Sequence, residues 1–211
     1  MADNATESFI SCLLKMAEAE TNPVLEIIDQ NKPLEENKKY PPALLQFNQT
    51  GWRAYYHCHP ASRAGNHRFK GEHGHFHLFV RIQTDPEEWS HLVALAIDNM
   101  GQPLGLFTVN HWVTGEKWES SAVLENYLKV IPYDKQDNMV ECWLLSLLSL
   151  SCDMVKTVLH QRDKILQEKQ LKRAKEKNDQ KYDIKQDKDI YVLSEKALNL
   201  EVLLNLQQDG D

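Results

Sequence analysis

The spacing of apolar residues along this chain changes period twice, and the changes outline the fold. In the first thirty residues Phe9, Leu13, Leu14 and Met16 recur at helical spacing, which predicts a helix ending before Asn22-Pro23 and a second short helix through Val24, Leu25, Ile27 and Ile28. A loop carrying Lys32-Pro33 and Pro41-Pro42 follows. Between Trp52 and His111 the period falls toward two, which predicts strands near 52–58, 74–82, 91–98 and 103–111, the last two joined across Asp98-Asn99-Met100-Gly101. After Trp118 the helical period returns, and Met139 to about Lys172 reads as one long helix, apolar in its first half and charged in its second. Residues 172–189 mix charges as a solvated helix end or linker does, and Ile190–Leu193 and Leu198–Leu206 suggest a strand-like piece and a helix. The expected fold class is α+β, an antiparallel sheet of about four strands with N- and C-terminal helices packed on one face. The expected organisation is a single domain over 1–171, a charged linker over 172–189 and a C-terminal element over 190–211.

The strand region also holds eight of the nine histidines, five of them in Tyr55-Tyr56-His57-Cys58-His59 and Glu72-His73-Gly74-His75-Phe76-His77. Imidazoles at every second position of a strand point to one face. A hairpin around the loop from Pro60 to Glu72 would set His59 opposite His73, His57 opposite His75 and Tyr55 opposite His77. Pairing Val80 with Val93, Leu78 with Leu95 and Phe76 with Ile97, then Ile97 with Leu104 and Leu95 with Leu106, keeps the other face continuously apolar. The histidine face then reads His57, His59, His73, His75 and His77 beside Ala94, Ala96, Asp98, Gly105 and Phe107, a hollow in which Asp98 would approach His75. Cys58 and Tyr56 would project to the apolar face.

Composition narrows the possibilities. The chain has 211 residues, 42% of them apolar, enough for one full core. A formal charge of -7 with no long basic stripe argues against a nucleic-acid partner. Cys12, Cys58, Cys142 and Cys152 show no CxxC spacing and read as reduced thiols. The N-terminus lacks a charged-then-apolar leader, and the most apolar window, Cys142 to Val155, is too short to cross a bilayer, so a cytoplasmic protein without a membrane partner is expected.

The strings Ala54-Tyr55-Tyr56-His57-Cys58-His59, Glu72-His73-Gly74-His75-Phe76-His77, His91-Leu92-Val93-Ala94 and Leu106 through Trp118, with its Asn110-His111-Trp112-Val113-Thr114-Gly115-Glu116, resemble a family of uncharacterised bacterial proteins carrying a domain of unknown function. The resemblance extends over most of the chain, including Arg162-Asp163 and Val192-Leu193-Ser194, and implies no activity, substrate or catalytic residue. Arg is usual in that family where this chain has His111, so His111 is not expected to be an essential ligand.

Three chemistries compete for the histidines. An HxH pair on a strand, with a third ligand from its neighbour, suits a metal ion at roughly 2.0–2.1 Å from each nitrogen and leaves a position for water or substrate. His57 and His75 are the central pair, His59, His73 and His77 compete for the remaining places, and Glu72 or Asp98 serves as ligand or outer partner. Such a site would take a divalent metal, zinc or iron, and support a hydrolase or oxygenase acting on a small molecule. Alternatively, His73-Gly74-His75-Phe76-His77 resembles the run of the histidine-triad nucleotide hydrolases, in which the middle histidine, here His75, is the nucleophile on a phosphate and no metal is needed. The third reading is a hydrogen-bonded polar layer or a pocket that binds a ligand without catalysis. Glu116 is a further candidate acid or base, in a loop whose Trp112 and Trp118 form an aromatic wall or simply seal the sheet against the helices. Arg81 shares the histidine parity and would suit an anionic substrate. The long helix is too densely apolar near Leu144, Leu145, Leu147 and Leu148 for a coiled-coil seam and should pack on the sheet.

Overall fold

The computed structural model describes residues 2–28, 30–47, 50–59, 68–83, 85, 87–176 and 181–205. His67, most of the loop from Pro60 to Glu72, residues 177–180 of the charged stretch and the C-terminal end from Leu206 lie outside them. Six strands form one antiparallel meander in chain order: β1 (Tyr40–Leu45), β2 (Trp52–Cys58), β3 (Gly74–Arg81), β4 (Trp89–Ile97), β5 (Pro103–Val109) and β6 (Val192–Ala197). The α+β class is as expected, with two strands more than the alternation announced. At one edge, β1 forms where a proline loop was expected. It can do so because an edge strand tolerates missing N–H groups, and its pairing is irregular, stepping from Tyr40↔Tyr56 to Leu45↔Ala54. β6 closes the other edge against β5, pairing Thr108 with Ser194.

The longer helices pack on one face of the sheet, and the single helical turn His111–Thr114 reaches the other through Val113. α1 (Ala2–Glu18) sends Ala5, Phe9, Cys12 and Met16 into a core shared with Tyr56, Phe76, Leu78, Val93 and Leu95 of the sheet. α3 (Ser121–Leu128) adds Leu124 and Leu128; α2 (His111–Thr114) is a single turn after β5, and α6 (Leu200–Asn205) ends the described chain. The second short helix expected at 24–28 is instead a series of turns, because Asn22 Oδ1 accepts from the N–H groups of Val24 and Leu25 and so fixes an Asx turn. Val24 and Ile27 are buried nonetheless.

The long helix expected from Met139 is two helices, α4 (Met139–Leu150) and α5 (Cys152–Glu176), bent by 73°. Asn138 caps α4 by accepting from Val140 and Glu141, and the Ser151 hydroxyl donates back to Leu147 O at 2.7 Å at the break. The bend resolves a conflict in the sequence. α4 is buried on nearly every side, with Trp143 wholly inside, whereas the second half of α5 is charged and solvated; a straight rod could not place both. Among the described residues no single helix is long and apolar enough to cross a membrane.

Strand register decides what the uncovered face presents. β2 and β3 pair as expected, with Tyr55↔His77 and His57↔His75. β3 and β4 pair two residues away from the expected register, Phe76↔Leu95 and Leu78↔Val93, which keeps each side chain on its face. Between Leu78 and Phe79 the register shifts, so that Phe79 meets His91 and Val80 meets Ser90. Leu95↔Leu106 holds as expected, while a second irregularity pairs Ile97 with Pro103 rather than Leu104.

Candidate metal centre

Away from the helices, the face carries Tyr55 and His57 from β2, His75 and His77 from β3, Ala94 and Ala96 from β4, and Gly105 and Phe107 from β5. The alanines and glycine leave room for the rings. His59 follows β2 directly and turns back toward the same group, its ring centroid 4.8 Å from that of His57 and 5.1 Å from that of His75. His91 joins from β4 because the bulge opposite Phe79 inverts its parity. By strict alternation it would point with Val93 into the helix-covered core.

The imidazoles form a continuous chain. His57 Nε2 lies 2.6 Å from His75 Nε2 and 3.2 Å from His77 Nε2, and His77 Nδ1 is 2.9 Å from His91 Nε2. Each inner nitrogen is oriented through the other side of its ring. His75 Nδ1 faces Glu72 Oε1 at 2.9 Å, and the second carboxylate oxygen accepts from the N–H groups of Arg68 and Phe69. His59 Nδ1 faces Asn37 Oδ1 at 3.1 Å. A proton on Nδ1 of His75, donated to the carboxylate, leaves its Nε2 as a lone pair, and the His77–His91 contact does the same for His77 when His77 donates. Two nitrogen lone pairs at 2.6 Å repel unless a proton or a cation lies between them. Among the described residues, His57, His59 and His75 form a group whose ligand atoms all lie within 4.8 Å of one another, a set that could hold a metal ion.

Burial favours the neutral form of His57, His77 and His91. His75 and His77 have no exposed surface, while His57 and His59 are half-buried. Burial, then the neighbouring His75, His59 and Lys39, push the His57 imidazole down to about 2. Burial and the surrounding histidines hold His77 well below its ordinary value, and burial with Arg162 lowers His91 to about 3. Neutral imidazole is the form that binds metals. Beside the row stand two tyrosines whose burial raises their hydroxyls above the usual range: Tyr55, whose ring lies 5.2 Å from His77, and Tyr191, which also feels Arg68 and Glu72.

The other candidates fall elsewhere. His73 leaves the row: its Nδ1 meets the Tyr56 hydroxyl at 2.6 Å and its ring stacks on Tyr56, whose side chain belongs to the core. β3 begins only at Gly74, so His73 precedes the alternation; a Cβ at position 74 would stand 2.4 Å from Tyr56 Oη and from His57 O. Asp98 does not orient His75. Its Oδ1 accepts from the N–H groups of Met100 and Gln102 in the β4–β5 turn, and Glu72 holds the position foreseen for it. Glu116 is drawn to Arg53 at 2.6 Å, and that guanidinium lies over Trp89. Arg81 is exposed beside the same Trp89, and Cys58 is in the core. His111 packs against Trp118 and meets Gln186, Trp112 donates to Ile190 O, and Trp118 lies under Arg162, so both tryptophans seal the sheet end. The sequence reading missed His91 and Asn37. A bulge leaves no mark in an alternation pattern, and Asn37 is brought to His59 by a backbone bond from its own N–H to Cys58 O.

The chain belongs to the DUF6969 family, described as a domain of unknown function, whose profile matches residues 3–198. No curated protein and no solved structure matches it.

Proposed function

We propose that this protein binds one divalent first-row metal ion through His57, His59 and His75, with His77 Nε2 as the adjoining fourth imidazole, and uses the ion to act on a small molecule by hydrolysis or oxygenation. The observation that carries the reading is the convergence of His75 Nε2 and His77 Nε2 on His57 Nε2, at 2.6 and 3.2 Å. Nitrogens bound to one ion at about 2.0–2.1 Å stand roughly 3 Å apart, so little movement separates this arrangement from a loaded one. An all-nitrogen set suits zinc or iron better than magnesium or calcium, which prefer oxygen. His57 and His59, the half-exposed members, mark the side from which water or substrate would reach the ion. There the ion would act as a Lewis acid or activate a bound water or oxygen molecule.

The nucleotide-hydrolase alternative asks His75 to attack a phosphate. That side chain has no exposed surface and its Nε2 is engaged by His57, which weighs against an in-line approach.

Elemental analysis of untagged protein, purified without chelator, tests the proposal beside a His57→Ala/His75→Ala variant. Near-stoichiometric zinc or another transition metal in the first, and its loss from a still-folded second, is the expected result. Metal-free protein that also refuses reconstitution would remove it.

A further inference from the structure

An ion held by His57, His59 and His75 receives no negative charge from its ligands, because each imidazole binds as the neutral base. Glu72 bonds to the row at His75, and its one negative charge falls short of the two on the ion. A divalent ion therefore leaves this largely buried hollow positively charged, and burial makes uncompensated charge costly. The rim adds to the excess. Lys39 Nζ stands 4.5 Å from the centre of the Tyr55 ring, and the charge of Arg68 is felt by the Tyr191 hydroxyl beside the row. The acid that flanks the far end of the row, Glu116, is closed off by Arg53. In a chain of net charge -7 this cationic rim is a local feature.

The walls limit what can supply the missing charge. Phe69, Phe107, Val113 and Tyr191 pack together beside the histidines, an apolar and aromatic lining with few donors. A phosphate brings three oxygens that each need a donor, whereas a carboxylate can place one oxygen on the metal, turn the other to a rim cation and lay its hydrocarbon part on the lining.

We propose that the metal-loaded site binds a small organic carboxylate, entering on the His57 and His59 side past Lys39, and that the substrate belongs to this class of acid. The inference rests on the metal reading above and extends it.

Cobalt(II) loaded into the full chain gives a visible spectrum that reports the ligands of the ion. Propionate should change that spectrum saturably, and propionamide, its neutral counterpart of the same shape, should not. Lys39→Gln, a change at an exposed residue, should raise the apparent Kd for propionate roughly threefold, while Lys164→Gln on the solvated part of α5 leaves it unchanged. Cobalt uptake with a spectrum that ignores propionate, or answers propionamide equally, overturns the carboxylate assignment, and so does phosphate binding more tightly than propionate. Failure of cobalt to bind at all registers before any acid is added; it removes the metal reading and this inference with it.

Discussion

Glu72 Oε1 lies 2.9 Å from His75 Nδ1, and neither side chain has any exposure to solvent. The carboxylate's other oxygen is fastened to the N–H groups of Arg68 and Phe69, so the imidazole is oriented by a group that is itself immobile. Partners of this kind raise ligand basicity and fix the tautomer, and their loss lowers metal affinity by about 10–100-fold. Glu72→Gln should weaken metal binding by that factor in competition with a coloured chelator and leave the far-ultraviolet circular dichroism unchanged. An unaltered affinity would show that Glu72 merely closes the turn.

His91 plays the corresponding part for His77, but as a neutral group. With His91→Ala, His77 Nδ1 loses its partner inside a fully buried site. Leaving one buried polar group unsatisfied costs about 1–3 kcal/mol. Urea unfolding of metal-free protein should show a loss of that size, and His91→Gln, whose side-chain carbonyl can accept the same N–H, should recover part of it. Equal stabilities for the alanine and glutamine variants would exclude the bond as the cause.

The difference between His91 and His57 also shows what the sequence could convey. Alternation through Tyr55, His57, His75 and His77 was enough to place those side chains on one face, because a one-residue slip would have exposed Phe76, Leu78 and Val93. It could not choose between registers two residues apart, since both bury the same set, and it could not see the bulge that turns His91. β1 escaped notice because Pro41 and Pro42 look like a loop wherever the edge position is unknown. The bend at Ser151 was hidden for a similar reason: the helical period runs through it, and only the room available around Trp143 and the charged end of α5 forces the turn.

Gly105 lies under Phe69. A Cβ added there would stand 2.2 to 2.7 Å from three atoms of the phenyl ring, so Gly105→Ala must displace Phe69 and disturb the turn from which Glu72 reaches His75. Overpacking of this kind costs about 1–3 kcal/mol. Loaded protein should melt earlier and release its metal to chelator faster than the parent, while Gly115→Ala, at a position where a Cβ meets nothing within 4 Å, should affect stability through its left-handed backbone alone and leave the release rate as it was. Matching release rates in the parent and Gly105→Ala would separate Phe69 from the site.

Acid should attack the metal-free protein through the same row. In the folded chain burial holds His57 down to about 2 and His91 to about 3, and His77 well below its ordinary value, whereas each titrates near 6.5 when unfolded. The unfolded state therefore binds more protons below about pH 6.5, and by linkage acid favours it. The stability that the neutral rings contribute is complete above pH 6.5 and is lost progressively as the pH falls toward 3. Urea midpoints measured in chelator should be level between pH 7 and 8 and fall steeply between 6.5 and 5, and His91→Gln, which removes one of the three groups, should make that fall shallower. A bound metal would deepen the dependence, since protons and the ion compete for the same nitrogens. A midpoint equal at pH 8 and pH 5 would mean that the rings do not remain neutral and buried in solution, and the argument for a preformed metal centre would lose its physical basis.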